Sequence, residues 1–179
     1  MKISELQRSN PSVYSTDKFT GHAYGEFYDK LFEGKENEHL DVMEIGVNEG
    51  GSVRLWHDYL KKSFIVGLDI SNLWRGAEEQ DYPRLILHIG MDAYSQPIHL
   101  YDIDVIIEDG SHILADQIYA LQHFPSHLRS GGILVIEDVP TGTESEIIKH
   151  APLGGQVEVI DLRHITGRWD DCLITFKKD

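Results

Sequence analysis

The segment Asp41–Ser52 reads DVMEIGVNEGGS, a short apolar run that leads into a glycine-rich turn. The run Asp41–Gly46 predicts a buried strand, and the residues after the turn predict a helix over Ser52–Lys62 with Ser52 as its N-cap. Gly46 and the Gly50–Gly51 pair allow a tight turn and a close approach of backbone to a ligand. The spacing matches neither the dinucleotide-binding G-x-G-x-x-G pattern nor a Walker loop. By itself, the turn is equally compatible with a simple strand-to-helix connection.

Outward from this segment, strand-like and helix-like patterns alternate along the chain. Several strands are near-continuous apolar runs of Val, Ile and Leu, which is typical of strands covered by helices on both faces. The pattern therefore predicts an α/β fold with a Rossmann-like, doubly wound, mostly parallel sheet of seven strands. The predicted strands are Asp41–Gly46, Phe64–Ile70, Arg84–Ile89, Asp104–Glu108, Gly132–Glu137, Val157–Leu162 and Cys172–Lys177. The predicted helices between them are Ser52–Lys62, Ala115–Leu128 and Glu144–His150.

Composition narrows the classes of partner. The 179 residues fit one domain, and 30 acidic against 16 basic residues give a formal net charge of −14. Because no cluster of Lys and Arg is visible, we expect neither nucleic acid nor an anionic membrane as a partner. No apolar stretch reaches about 18 residues, Met1–Asn10 lacks the apolar part of a signal peptide, and Cys172 is the single cysteine. These features predict a cytoplasmic protein without an intramolecular disulfide.

Acidic residues follow the second and third predicted strands. In doubly wound folds, ligands bind beyond the carboxyl ends of the strands. Asp69 ends the second strand 23 residues after Gly46, where a carboxylate can accept hydrogen bonds from both hydroxyls of a ribose. Asp92 follows the third strand and could accept from an adenine amino group, although a helix-capping role fits equally well. Together these positions favour an adenosine-containing ligand.

A second group of acids follows the fourth and fifth strands. The fourth strand ends in Glu108-Asp109-Gly110-Ser111-His112, and the fifth ends in Glu137-Asp138. If these strands are neighbours, their ends lie about 5 Å apart, and like charges so close repel. A divalent cation with oxygen ligands, such as Mg²⁺, would remove that repulsion. Asp109, Glu137 and Asp138 are the predicted ligands, on condition that the chain turns at Glu137–Asp138, since adjacent strand residues point to opposite faces. The alternative is that these acids cap helices or face water.

His112 lies three residues after Asp109. Its imidazole would make a good general base near neutral pH, whereas most histidines without such neighbours are structural. Its position beside the predicted metal site makes a chemical role and a structural role about equally compatible with the sequence.

Four segments carry a resemblance to a known family. They are Glu44–Ser52 (EIGVNEGGS), Val66–Ile70 (VGLDI), Asp104–His112 (DVIIEDGSH) and Gly131–Val139 (GGILVIEDV). They resemble the metal-dependent sugar O-methyltransferases of macrolide biosynthesis, that is, the macrocin and mycinamicin enzymes, and the similar cephalosporin hydroxylase-like group. The resemblance implies the class I methyltransferase fold with an antiparallel last strand, and S-adenosyl-L-methionine as cofactor. The cofactor-binding residues implied in this way are Glu44, Gly46, Asn48, Gly50, Gly51, Ser52, Asp69, Ile70, Asp92 and Glu108.

The same resemblance implies a reaction. Mg²⁺ would be held by Asp109, Glu137 and Asp138, and His112 or Asp109 would take the proton from a hydroxyl of a carbohydrate-containing small molecule. Residues 1–40 would form a helical lid or substrate segment, in which Lys18, His22 and Tyr24 help to close the site over a core formed by residues 41–179. A homodimer is left open. The alternatives are a catechol-type metal-dependent O-methyltransferase, a non-methylating nucleotide-binding protein of the same fold, and a binding module that lacks the chemistry.

Overall fold

The computed structural model describes residues 1–74 and 81–179 as alternating helices and strands. The helices are α1 (Ile3–Ser9), α2 (Gly25–Leu31), α3 (Gly51–Tyr59), α4 (Leu114–His123), α5 (Glu144–Ile148) and α6 (Arg163–Thr166). The strands are β1 (Val42–Ile45), β2 (Ile65–Asp69), β3 (Leu85–Ile89), β4 (Ile103–Glu108), β5 (Leu128–Ile136), β6 (Gly155–Asp161) and β7 (Cys172–Lys178). Within these two ranges, no helix is long and apolar enough to cross a membrane.

The seven strands form one sheet in the order β3-β2-β1-β4-β5-β7-β6. Strands β3, β2, β1, β4 and β5 pair in parallel, and β7 runs antiparallel to both β5 and β6. This arrangement confirms the predicted doubly wound, mostly parallel sheet with an antiparallel last strand. It also makes β4 and β5 neighbours, which the prediction of a joint acidic centre requires.

Two apolar clusters cover opposite faces of the sheet. In β4, Val105 and Ile107 belong to one cluster and Ile106 belongs to the other, as expected from the alternation of side chains along a strand. The first cluster contains Trp56 of α3 and the aromatic residues of the N-terminal helices. The second contains Leu121 of α4 and residues of α5. Every residue of β4 is buried, which explains the apolar stretch Val105–Ile107 at its centre, between the buried acids Asp104 and Glu108.

Several element boundaries differ from the sequence prediction, among them those of α3, α4 and β5. Helix α3 begins at Gly51, and its N-cap is Gly50 with φ +85°, so Ser52 lies inside the helix and does not cap it. Helix α4 ends at His123, and a short 3-10 helix containing Pro125 follows, because proline cannot supply the N–H that a continuing helix needs. Strand β5 begins at Leu128, ahead of the predicted start at Gly132, with a register irregularity against β4 near its start.

The N-terminal segment contributes helices α1 and α2, as the sequence predicted in general terms. Tyr28 and Phe32 are fully buried against Trp56, with ring centroids 5.0 and 5.4 Å from the Trp56 ring. This aromatic packing fixes the segment against α3, beside the carboxyl ends of the strands. The role of residues 1–40 as a lid stays a prediction.

Candidate active site

A cleft of about 500 Å³ opens at the carboxyl ends of the parallel strands. Its walls come from the turns that follow β1, β2, β3 and β4 and from the residue two positions after β5. The predicted site residues that line it are Gly46, Asn48, Asp69, Ile70, Asp92, Asp109, His112 and Asp138. The predicted residues outside its lining are Glu44, Gly50, Gly51, Ser52, Glu108 and Glu137. The structure thus brings eight of the predicted residues to one cavity.

The turn after β1 depends on two glycines. Gly46 has φ +86°, and a Cβ atom added there would lie 1.8 Å from the carbonyl oxygen of Asp109. Gly50 has φ +85°, and a Cβ atom there would lie 2.1 Å from the ring of Trp74. The first glycine lets the ends of β1 and β4 approach closely, and the second lets the chain enter α3. The glycine spacing therefore has a structural reason whether or not a cofactor binds.

Asp69 fastens this turn to the end of β2. Its Oδ2 accepts hydrogen bonds from the backbone N–H groups of Val47 and Asn48, both at 2.8 Å, and its Oδ1 accepts from the backbone and hydroxyl of Ser71, both at 2.7 Å. Burial alone would raise the pKa of the Asp69 carboxyl, but these hydrogen bonds hold it below its ordinary value. Asp69 lines the cleft as an ionised group, and its role in ribose binding stays a prediction.

Asp92 forms a local turn after β3. Its carboxylate accepts hydrogen bonds from the N–H of Tyr94 at 3.0 Å and from the hydroxyl of Ser95 at 2.6 Å. These contacts close a turn, and since no helix lies between β3 and β4 among the described residues, the helix-capping alternative is not found. The contacts leave the side chain within the cleft lining, so contact with an adenine amino group stays a prediction.

Two buried glutamates lie behind the cleft. Glu44 accepts a hydrogen bond from Trp56 Nε1 at 2.7 Å, and burial raises the pKa of its carboxyl. Glu108 accepts hydrogen bonds from the hydroxyl of Tyr94 and from the N–H of Gly110, and burial raises the pKa of Glu108 to about 7. Both glutamates face inward as polar anchors of the strand ends. Glu44 Oε1 and Glu108 Oε2 have no hydrogen-bond partner among the described residues, and contact of either glutamate with the cofactor stays a prediction.

Asp109, His112 and Asp138 converge on the wall of the cleft. One ligand atom from each lies within 4.8 Å of the others. His112 Nε2 lies 3.7 Å from Asp138 Oδ2 and 4.0 Å from Asp109 Oδ1. The carboxylate oxygens of Asp109 and Asp138 are donors that suit Mg²⁺ or Mn²⁺, whereas an imidazole nitrogen is a more usual ligand of softer cations such as Zn²⁺. His112 joins this set in addition to the base role that the sequence suggested.

Glu137 lies on the other side of the chain from Asp138. Its Oε2 accepts a hydrogen bond from Lys18 Nζ at 2.7 Å, and its Oε1 accepts one from the hydroxyl of Tyr28. Among the described residues, the converging set does not include Glu137. The adjacent residues Glu137 and Asp138 thus point in different directions, one towards Lys18 and one towards the cleft, as expected from the alternation of side chains along a strand. Glu137 as a metal ligand stays a prediction, and it would require Lys18 to share or release this carboxylate.

Lys18 is a buried cation at the centre of the acids. Its Nζ lies 2.5 Å from Asp109 Oδ2, 2.7 Å from Glu137 Oε2 and 3.3 Å from Glu44 Oε1. Burial alone would lower the pKa of the Lys18 ammonium, but these carboxylates hold it well above its ordinary value. The pKa of Glu137 is also raised by burial, despite the opposing effect of Lys18. One ammonium stays charged, but it cannot compensate three buried carboxylates. Sequence reasoning placed Lys18 near the site by resemblance and missed this pairing.

The order of the strands, the glycine turn after β1 and the acids after β4 and β5 define an α/β methyltransferase fold of class I. No protein-family model matches the chain. It is 35% identical over 148 residues to demethylmacrocin O-methyltransferase of Streptomyces fradiae, an alignment that covers 73% of this chain and 35% of that protein. It is 33% identical over 150 residues to mycinamicin VI 2''-O-methyltransferase of Micromonospora griseorubida, which covers 78% of this chain and 36% of that protein.

A third relative transfers a methyl group to a rhamnosyl tetracenomycin. This 8-demethyl-8-alpha-L-rhamnosyl tetracenomycin-C 2'-O-methyltransferase of Streptomyces olivaceus is 32% identical over 142 residues, which covers 72% of this chain and 36% of that protein. The chain therefore spans about a third of the length of the curated relatives that it matches. The predicted resemblance to the macrocin and mycinamicin enzymes is confirmed.

Solved structures agree with the fold. The MycE methyltransferase of the mycinamycin pathway, in complex with Mg and S-adenosylhomocysteine, is 30% identical with a TM-score of 0.63 over 77% of this chain and 36% of that chain. A complex of the same enzyme that also contains mycinamycin VI gives a TM-score of 0.71 at 22% identity over 99% of this chain and 54% of that chain. An S-adenosylmethionine-dependent O-methyltransferase from Thermotoga maritima has the same fold, with a TM-score of 0.65 at 14% identity over 86% of this chain and 63% of that chain.

Proposed function

We propose that this chain carries an S-adenosyl-L-methionine-dependent, Mg²⁺-assisted O-methyltransferase activity towards a sugar hydroxyl of a glycosylated small molecule. The observation that carries the proposal is the convergence of Asp109, His112 and Asp138 on the wall of a cleft at the strand ends of a class I fold. The names of the relatives, which are sugar O-methyltransferases, support the same reaction.

The cofactor would lie along the part of the cleft formed by the turns after β1, β2 and β3. Gly46 and Asn48 present backbone there, and Asp69 presents an ionised carboxylate. A cleft of about 500 Å³ lies within the size range of small-molecule sites. Binding in this groove would bring the methyl donor close to the strand ends that carry Asp109 and His112.

Asp109 and Asp138 would hold the metal ion, with His112 beside them and Glu137 as the further predicted ligand. When bound, Mg²⁺ supplies a Lewis acid that lowers the pKa of an acceptor hydroxyl and fixes its position. His112 is the better placed base, because its side chain is 41% exposed in the cleft, whereas Asp109 is paired with the Lys18 ammonium. His112 would take the hydroxyl proton while the acceptor oxygen bonds to the methyl carbon and the carbon–sulfur bond of the cofactor breaks. Alignment of these groups is the main contribution of the protein.

The charge of the cleft favours a neutral acceptor. Six aspartates line it, whereas no Lys or Arg occurs among its described lining residues. The aspartates are Asp17, Asp69, Asp92, Asp109, Asp116 and Asp138. A phosphorylated or uronic acid acceptor would meet this negative potential with no lysine or arginine among the described lining residues to offset it. The same potential, with the net charge of −14, supports the absence of a nucleic-acid partner. The cytoplasmic location and the homodimer stay predictions from the sequence.

Calorimetric titration with S-adenosylhomocysteine, with and without Mg²⁺, tests cofactor and metal together. We expect micromolar binding of S-adenosylhomocysteine and a separate Mg²⁺ heat that Asp109→Ala abolishes while cofactor binding persists. A panel of acceptors then tests the reaction, with a neutral glycoside, the matching sugar phosphate and a catechol. Methylation of the glycoside supports the proposal, and methylation of the catechol alone would assign the catechol-type activity instead. Absence of S-adenosylhomocysteine binding in both conditions would leave only a binding module of this fold.

A further inference from the structure

We infer that His22 and Tyr24 are positioning residues that hold Asp138 in the conformation in which its carboxylate meets Asp109 and His112. The inference rests on the metal site proposed above. It assigns to two residues of the N-terminal segment a defined effect on metal affinity, in addition to their predicted part in closing the site.

Asp138 has a backbone conformation that needs external support. Its φ is +52°, in the left-handed region, which is unfavourable for a non-glycine residue. Such conformations persist where the surrounding structure enforces them. The hydroxyl of Tyr24 donates to Asp138 Oδ1 at 2.7 Å and accepts from the Asp138 backbone N–H at 3.2 Å. Gln117 Nε2 donates to the carbonyl oxygens of Glu137 and Asp138 at 3.0 and 3.2 Å. One hydroxyl therefore fixes both the backbone and the carboxylate of Asp138.

His22 joins Asp138 to a second buried carboxylate. Its Nδ1 lies 3.4 Å from Asp138 Oδ1 and 3.4 Å from Asp171 Oδ1, and its side chain is 2% exposed. Neither ring nitrogen has a hydrogen-bond partner within the described part of the chain, although an unsatisfied buried donor destabilises the folded state. A small movement of the ring towards Asp138 would satisfy Nδ1. The imidazole therefore lies where it can hold two carboxylates that would otherwise repel.

Neighbouring contacts fix His22 in this place. Its ring stacks on Tyr24 with centroids 4.7 Å apart. Asp171 is fully buried at the start of β7 and accepts from the N–H of Ala23, the next residue after His22, at 3.2 and 3.3 Å. The chain from Asp171 through His22 to Asp138 is thus anchored at its far end in the sheet. Hydrogen-bonded partners that orient a ligating carboxylate commonly change metal affinity by about 10–100-fold when removed.

This arrangement links metal binding to the order of the N-terminal segment. Any ion that binds Asp138 more tightly when Tyr24 and His22 are in place must, by reciprocity, stabilise those two residues in place. Mg²⁺ should therefore slow amide hydrogen exchange of residues 17–24. It should leave the exchange of α1 unchanged, since no residue of that helix contacts Asp109, His112 or Asp138 in the described contacts.

The test is Mg²⁺ titration, by calorimetry, of the full chain saturated with S-adenosylhomocysteine. Tyr24→Phe removes one hydroxyl and keeps the ring, and we expect it to weaken Mg²⁺ binding about 10–100-fold with unchanged affinity for S-adenosylhomocysteine. His22→Ala should weaken Mg²⁺ binding similarly, and His22→Gln should restore part of it, because an amide can still donate to Asp138. The matched control is Tyr14→Phe, which removes a hydroxyl that donates to Asp58 at 2.8 Å in the same N-terminal segment. We expect Tyr14→Phe to bind Mg²⁺ as the wild type does.

The outcomes separate this inference from the proposed function. If the wild type binds Mg²⁺ and Asp138→Ala does not, but Tyr24→Phe and His22→Ala bind it normally, the positioning role is wrong and the proposed metal site stands. If Tyr24→Phe and Tyr14→Phe weaken Mg²⁺ binding equally, or if the affinity for S-adenosylhomocysteine falls in parallel, the effect is a general loss of structure and the inference is overturned. If the wild type binds no Mg²⁺, the proposed metal site fails, and this inference fails with it.

Discussion

Replacing Lys18 by methionine would remove the only ammonium that the described structure places among the buried carboxylates of the site. Asp109, Glu137 and Glu44 all lie within 3.3 Å of its Nζ, and the side chain is 1% exposed. Methionine has a similar length and an apolar stem, so the change removes charge with little change in volume. Loss of one partner from a buried ion pair costs about 3–5 kcal/mol, and we expect the free energy of unfolding to fall by this amount. For a domain of this size, the melting temperature would fall by roughly 6–20 °C.

The decrease in the free energy of unfolding caused by Lys18→Met should depend on pH in a defined direction. Without the ammonium, the folded protein keeps Glu44 and Glu137 buried and Asp109 only 20% exposed, and desolvation already raises the pKa of each carboxyl. A carboxyl whose pKa is higher in the folded state than the unfolded value of about 4 stabilises the fold at low pH and loses that contribution as the pH rises through the folded pKa. The deficit of Lys18→Met relative to wild type should therefore be smaller at pH 5 than at pH 8.

Urea unfolding followed by tryptophan fluorescence at pH 5 and pH 8 measures both effects. The control is Lys30→Met, since Lys30 is 74% exposed and pairs with Glu26 on the surface of α2. We expect that control to change the free energy of unfolding by about 0.5 kcal/mol or less at either pH. If Lys18→Met is no less stable than Lys30→Met at pH 8, the ammonium does not neutralise the cluster and the reasoning is refuted.

Three further predictions concern other parts of the site. Gly46→Ala should lower both the melting temperature and the affinity for S-adenosylhomocysteine more than Gly142→Ala does. Both positions have positive φ, but only at Gly46 would the new Cβ meet backbone, 1.8 Å from the carbonyl oxygen of Asp109. Equal effects in the two variants would contradict this prediction. Burial raises the pKa of the Cys172 thiol to about 12. A thiol reagent at pH 8 should therefore label the native protein slowly and the protein in urea rapidly. Rapid labelling of the native protein would disprove the burial. Burial raises the pKa of Glu108 to about 7. The unfolding free energy of the wild type should therefore fall relative to that of Glu108→Gln between pH 5 and pH 8. A constant difference across that range would count against the raised pKa.

Local sequence patterns were sufficient to predict the fold. The apolar stretch Val105–Ile107 within β4 predicted a strand covered on both faces, and all six residues of the strand are buried. The position of Asp138 after β5 predicted an acid at the same edge of the sheet as Asp109, and the parallel pairing of β4 and β5 brings both to one cleft. Such predictions succeed because the period of the side chains and the direction of parallel strands are fixed by backbone geometry.

The partners of the acids could not be predicted in the same way. Lys18 lies 91 residues from Asp109 and 119 residues from Glu137 in sequence, and no periodicity connects them. Asp171, which approaches His22, follows a loop near the end of the chain and carries no motif of its own. Contacts of this kind depend on how the N-terminal segment packs over the sheet. That packing is set by buried aromatic residues such as Tyr28, whose pairing is a property of the whole core.

The adjacent acids Glu137 and Asp138 belong to two halves of the acidic centre, an inner half beside Lys18 and an outer half that faces the cleft. Glu137 faces inward, where Lys18 and Tyr28 satisfy it, so the inner half of the centre already contains its cation. Asp138 faces the cleft, and it reaches His112 only because both residues have left-handed backbone, with φ +52° and +57°. Two strained non-glycine residues that face each other are costly to maintain for packing alone, and such strain concentrates at functional sites. Since Lys18 cannot also neutralise Asp138, the outer half of the centre is where a divalent cation would lower the electrostatic energy most.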